Sequence, residues 1–323
     1  MGKVGIFAPH AYGDTILVTS LLKYREELWP DKDIVWFASP SSYDALKYSP
    51  GISEIRPHQD YHYGPDVRIG LSSGQLSPNR TKFKDTADLD LGYYLTPWAN
   101  RHLWDKPFHN VPPPDLLFAH LSRFILKSAG IAAEMPDWYP CIGFSKEEDE
   151  RAEAFIGSLP HKKTVMLETK FTSCQSSWDD PCTEKVVEIL WNVLGPCNLV
   201  FASPGSHLGW GCQKADGCSG LKAGKCIWSV LGQHPGSVVD CSGFTIRQCV
   251  PVYNRCHLFI GVSSGISTAT SAWSANVEVP RIQYCRDLRS SGEPFARGKY
   301  RLCLCSDRMG LFDAVREFAI GIK

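Results

Sequence analysis

No cysteine occurs before Cys141, no apolar run approaches the ~20 residues needed to cross a bilayer, and no net charge separates the 34 basic from the 34 acidic residues. The missing apolar run excludes an expected helical membrane span. The charge balance argues against a chain-wide electrostatic footprint for nucleic acid, while leaving room for a local basic groove. The opening Met1–Ala8 turns polar too early for a secretory leader and reads as a first buried strand, so the expected location is cytoplasmic. Neither a Walker loop nor a G-x-G-x-x-G fingerprint is present, which counts against ATPase and NAD-dehydrogenase chemistry. There is also no short internal repeat and no low-complexity tract.

What is present suits a soluble α/β protein. The 323 residues, 43% hydrophobic and 21% charged, accommodate two domains of ordinary size. An odd total of 13 cysteines without a leader argues against an extracellular disulfide framework. Cys249 and Cys256, at helical positions, are expected as ordinary buried residues.

The first 60 residues alternate as a βαβαβ unit: strand Val4–Ala8, loop Pro9–Asp14, a helix over Thr15–Leu28 closed by Pro30, strand Asp33–Ala38, a short helix Tyr43–Tyr48 and strand Ile52–Arg56. From about 60 to 115 the pattern blurs into prolines and aromatics, a composition suited to a binding loop or to core packing, before a helix expected over Asp115–Ala129. The Met135–Pro140 stretch reads as a linker.

A second α/β series follows it. Strands are expected at Thr164–Glu168, Leu199–Ala202, Ser237–Asp240, His257–Val262 and Val279–Tyr284. Helices are expected at Glu147–Leu159, Thr183–Leu194, Ile246–Asn254, Ile266–Trp273 and Leu311–Ile320. The two series predict twin Rossmann-like domains over residues 1–140 and 141–323, with parallel sheets facing a central cleft.

Three segments carry candidate chemistry. Gly13-Asp14-Thr15 lies where strand one turns into helix one, at the carboxyl edge where parallel sheets bind ligands. Asp14 there either caps the helix or accepts a proton from a substrate hydroxyl, with His10, Tyr12 and Gly13 beside it. Phe259–Thr270 runs from an apolar strand into Ser263-Ser264-Gly265 and then a helix. Backbone N–H groups and hydroxyls in such a turn suit a phosphate or pyrophosphate, and a tight turn capped by Ser264 is the simpler alternative. Glu168–Trp178 follows the first strand of the second series. Its Lys170, with Thr172 and Ser173, either neutralises a diphosphate or is solvated.

These segments resemble the heptosyltransferases of glycosyltransferase family 9. Gly13-Asp14-Thr15-Ile16-Leu17-Val18 is similar to the family's Gly-Asp and apolar helix. Trp29-Pro30, Asp33–Phe37 and Tyr48–Ile55 continue the likeness, and Leu258–Thr270 resembles the donor-site motif. The resemblance implies a GT-B architecture: an N-terminal acceptor-binding domain, a C-terminal domain binding a nucleotide-sugar donor, and an inverting transfer. Asp14 would be the general base toward a hydroxyl of a saccharide or glycoconjugate. Lys170, Ser264 and Gly265, with Thr172, Ser173, Ser263 and Thr268, would hold the donor, and no metal or other cofactor would be required. The chain departs from the family at Ser263, usually Asp, and at Thr268, usually His, which leaves ADP-, UDP- and GDP-sugars open as donors.

Two alternatives keep the fold. One is transfer to a modified nucleobase in DNA, with Arg281, Arg286, Arg289, Arg297 and Lys299 along phosphates. The other is a non-catalytic nucleotide-sugar-binding protein. A glycine-rich excursion places Cys212, Cys218 and Cys226 within 15 residues, at spacings unlike the paired ligands of ordinary zinc sites. Metal binding, a disulfide and free thiols all fit it.

Overall fold

The computed structural model describes residues 3–8, 12–57, 67–70, 139–169, 179–202, 237–241, 244–262, 264–285 and 298–323; for some of these, Tyr12, Asp14 and residues 67–70 among them, it describes the backbone alone. The chain divides into two compact units. The first comprises Met1–Phe144 with Ser271–Ser274 and Gly292–Phe295, and the second Ser145–Thr270 with Ala275–Ser291 and Ala296–Lys323.

In the first unit, β1 (Lys3–Ala8) leads to α1 (Tyr12–Val18), a 3₁₀ stretch over Thr19–Tyr24 and a one-turn α2 (Arg25–Leu28). β2 (Asp33–Ala38), α3 (Tyr43–Leu46), β3 (Glu54–Pro57) and β4 (Val67–Gly70) follow. The four strands form one sheet in the order β3-β2-β1-β4, every pair parallel. Val4 and Ile6 of β1 and Ile34, Trp36 and Ala38 of β2 point into one core with Leu21, Leu22 and Trp29. The single helix expected over Thr15–Leu28 is therefore segmented, and it begins earlier, at Tyr12. Thr19 contributes to the break: its hydroxyl donates back to Ile16 O at 2.5 Å and accepts the Cys141 N–H at 2.9 Å.

The second unit opens with α4 (Lys146–Gly157), whose start is fixed by a reciprocal capping box between Ser145 and Glu148. β5 (Thr164–Glu168), α5 (Asp180–Leu194), β6 (Asn198–Phe201) and β7 (Ser237–Asp240) follow. Then come α6 (Cys249–Tyr253), β8 (Leu258–Val262), α7 (Gly265–Ala269), β9 (Arg281–Cys285), β10 (Tyr300–Leu304) and α8 (Arg308–Ile322). The six strands are all parallel, in the order β10-β9-β8-β5-β6-β7.

Alternation along the strands feeds two cores, one on each face. Val165, Leu167, Ile260, Val262, Ile282 and Tyr284 pack with α5 and α8. Met166, Val200 and Phe259 pack on the other face with α4, α6 and α7. Burial on both faces is why these strands read as nearly continuous apolar runs. α5 starts on Asp179, whose carboxylate accepts the Cys182 N–H at 3.0 Å and also pairs with Arg308 of α8 at 2.6 Å. Cys249 and Cys256 are buried as expected.

β4 and β10 were absent from the sequence expectations. The helix expected over Ile266–Trp273 is shorter, ending at Ala269, and the one expected over Asp115–Ala129 lies outside the described residues.

Candidate functional site

In an all-parallel open sheet, ligands bind outside the carboxyl ends of the strands, where the strand order reverses. In the second unit that reversal falls between β5, from which β6 and β7 run one way, and β8, from which β9 and β10 run the other. In the first unit it falls between β1 and β4. Two candidate segments leave their sheets at these points: Gly13 and Asp14 follow β1, and Ser264 and Gly265 follow β8. Lys170 comes two residues after the end of β5 in sequence.

In the first unit, Tyr12, Gly13 and Asp14 are the first three residues of α1, so Asp14 lies within the first helical turn and not in the loop before it. A carboxylate there is favoured by the unpaired N–H groups of that turn. His10, named with them, lies outside the described residues.

In the second unit, Ser264 is the N-cap of α7 and holds an extended backbone, with φ −155° and ψ 176°. Its Oγ accepts the Ser267 N–H at 3.1 Å and donates to Glu168 Oε2 at 2.5 Å. Glu168, the last residue of β5, is only 2% exposed. Gly265 begins α7, and the Thr268 hydroxyl donates back to Ser264 O at 2.9 Å. Lys170, Thr172, Ser173 and Ser263 lie outside the described residues, as do Cys212, Cys218 and Cys226. Among the described residues, no group of three or more His, Cys, Asp or Glu side chains is arranged to hold a metal.

α7 is anchored from below as well. Arg281 Nη2 donates to Ser267 O at 2.8 Å, and its guanidinium lies 5.6 Å from the Phe259 ring centre and 5.9 Å from that of Tyr253. The nucleobase alternative counts Arg281 among cations along DNA phosphates; the structure corrects this, since it lies in β9 and is 2% exposed, the apolar strand burying it beneath the helix. Lys299 stands on the surface over Phe318, while Arg286, Arg289 and Arg297 fall outside the described residues.

Two polar residues at the switch point went unassigned in the sequence. One is Glu168. The other is Thr169, 2% exposed, whose Oγ1 has no hydrogen-bond partner among the described residues. The available signal was a carboxylate closing an otherwise apolar strand, Thr-Val-Met-Leu-Glu.

No family model and no curated protein matches the chain. Solved structures do. A glycosyl transferase of family 9 from Veillonella parvula DSM 2008 aligns over 99% of this chain and 96% of its own, at 14% identity and a TM-score of 0.63. The E. coli ADP-heptose LPS heptosyltransferase II aligns over 99% of both chains at 12% identity and a TM-score of 0.62. The E. coli heptosyltransferase WaaC with ADP also aligns over 99% of both, at 12% identity and a TM-score of 0.59. At these identities the likeness establishes the fold, an α/β GT-B architecture of two Rossmann-like domains built on parallel sheets. No helix among the described residues is long and apolar enough to cross a membrane.

Proposed function

We propose that this chain is an inverting glycosyltransferase. It moves a sugar from a nucleotide-diphosphate donor to a hydroxyl of a saccharide or glycoconjugate. The observation that carries this reading is the near end-to-end likeness to family 9 and heptosyltransferase structures, at 96–99% coverage of both chains. Similar folds host many reactions, so the site must carry the rest. In support, Gly13 and Asp14 follow β1, and Ser264 and Gly265 follow β8, strands that flank the switch points of their own sheets.

In this scheme Asp14 accepts the proton of the acceptor hydroxyl as its oxygen attacks the anomeric carbon. The bond from that carbon to the diphosphate breaks, and the nucleoside diphosphate leaves with the electron pair. Lys170, with Thr172, Ser173 and Ser263, supplies charge and hydrogen bonds to the leaving group. Ser264 and Gly265 shape the turn that receives it. Thr268 supports that turn through its bond to Ser264 O. On the acceptor side, the scheme assigns acceptor contacts to His10, Tyr12 and Gly13, the base's neighbours in sequence. WaaC is seen with ADP and with ADP-2-deoxy-2-fluoro heptose, which puts ADP-sugars first among the donors to test.

Asp14→Asn separates this reading from a non-catalytic nucleotide-sugar-binding protein. With a catalytic base removed, release of nucleoside diphosphate from the donor falls by about 10²–10⁴-fold while donor affinity stays within a few-fold. Turnover unchanged in Asp14→Asn removes the base from the scheme.

A further inference from the structure

The switch point holds a carboxylate that the transfer scheme does not use. Along β5, Val165 and Leu167 face the α5–α8 core and Met166 the opposite one, so Glu168 shares the face of Met166, beneath α6 and α7. Its register partner on β8 is Gly261, which contributes no side chain. The space over Gly261 belongs to the Phe259 ring, whose edge would lie 2.5 Å from any added Cβ. The floor beside Glu168 is therefore closed by an apolar ring.

Ser264 reaches this carboxylate from the far loop. The 2.5 Å separation of its Oγ from Glu168 Oε2 is that of a charge-assisted O–H···O⁻ bond. A hydroxyl has a single proton to give, and Ser264 gives it to Glu168 while Thr268 gives its own to Ser264 O. Neither proton is then available to a phosphate. The end of β5 and the start of α7, beside the segments the transferase reading assigns to an anionic diphosphate, are joined by a bond whose acceptor carries the same sign of charge as that ligand.

We propose, on the basis of the transferase reading, that Glu168 is a positioning residue with two opposed effects. Through Ser264 it holds the β8–α7 turn in its ligand-receiving shape, and through its charge it loosens the grip on the nucleoside diphosphate that must depart after transfer. Two unit charges several ångströms apart, at the effective dielectric of a protein interior, change a dissociation constant by about tenfold or more.

Glu168→Gln separates the two effects, because the amide oxygen still accepts from Ser264 while the charge is gone. Glu168→Leu removes both, and Ser264→Ala removes the clasp alone. Calorimetric titration of the full chain with ADP, UDP and GDP reads them out. Glu168→Gln is expected to bind the preferred nucleoside diphosphate about tenfold more tightly than the wild type. Ser264→Ala and Glu168→Leu are expected to bind it less tightly than Glu168→Gln. A merely structural Glu168 gives no gain on going to Gln. Glu168→Gln binding no tighter than the wild type therefore overturns this inference and leaves the transferase reading intact. Absence of binding to all three nucleotides by both proteins overturns the two together.

Discussion

Arg247 Nη2 donates to Glu148 Oε1 at 2.6 Å while its Nη1 donates to the second carboxylate oxygen, so a guanidinium that is 1% exposed grips the residue that closes the capping box of α4. Gln248 adds a third hydrogen bond at 2.9 Å. The start of α4 is thereby bound to the turn leading into α6, 99 residues away in sequence. Glu148 is half-buried and keeps bonds from Gln248 and the Ser145 N–H, so it is not left fully stranded without Arg247. Arg247→Ala is expected to cost about 1.5–3 kcal/mol in urea unfolding, and a loss within about 0.5 kcal/mol would show the pair to be energetically idle.

The same cluster sets an acid limit on stability. Burial raises the Glu148 carboxyl, but hydrogen bonds from Arg247, Gln248 and the Ser145 N–H, with the Arg247 charge, outweigh it and hold the group down at about 2 from its usual 4.5. A carboxyl depressed on folding contributes stability above its unfolded value and loses that contribution as pH falls toward the folded one. The stability difference between the wild type and Glu148→Gln is therefore expected to be constant above pH 4.5 and to shrink between 4.5 and 2. Unfolding curves across that range check it, and a difference that grew on acidification would contradict it.

Gly143 and Gly157 make a matched pair of glycines. A Cβ at Gly143 would run into the Tyr48 carbonyl, whereas one at Gly157, the last residue of α4, would meet nothing within 4 Å. Gly143→Ala is expected to destabilise by about 1–3 kcal/mol through overpacking against backbone. Gly157→Ala is expected to be neutral or to gain about 0.5–1 kcal/mol in helix propensity. Thermal unfolding of the two variants side by side tests the contrast.

Much of this architecture was legible in the chain because its central strands are buried on both faces. Thr164–Glu168 and Asp33–Ala38 stand in the structure with the bounds their apolar runs imply. β10 escaped notice because Tyr300-Arg301-Leu302-Cys303-Leu304 carries an exposed cation in an edge strand, where one side of the ladder meets no neighbour. α1 starts before its expected position because Gly13, a poor helix former, sits in the first turn, where few intrahelical bonds are at stake. At the candidate site, Asp14, expected in the loop, lies inside α1, whereas Ser264 as the cap of a tight strand–helix turn followed from local pattern. The partnership of Ser264 with Glu168 did not, since it spans 96 residues and exists only once β5 and β8 are neighbours. Arg281 is the converse case: an arginine counted as a phosphate contact is buried by the pairing of β9 with β8 and β10.

The transferase reading requires the second unit to bind a nucleotide sugar. Calorimetric titration of the whole chain with ADP-, UDP-, GDP- and CMP-sugars, paired with thermal shift, measures that binding. Saturable binding of one nucleotide class is expected, with stabilisation of about 2.7 kcal/mol at a hundredfold excess over Kd. No binding and no shift across the four classes would contradict it, and the donor-site roles of Lys170, Ser264 and Gly265 would fall with it.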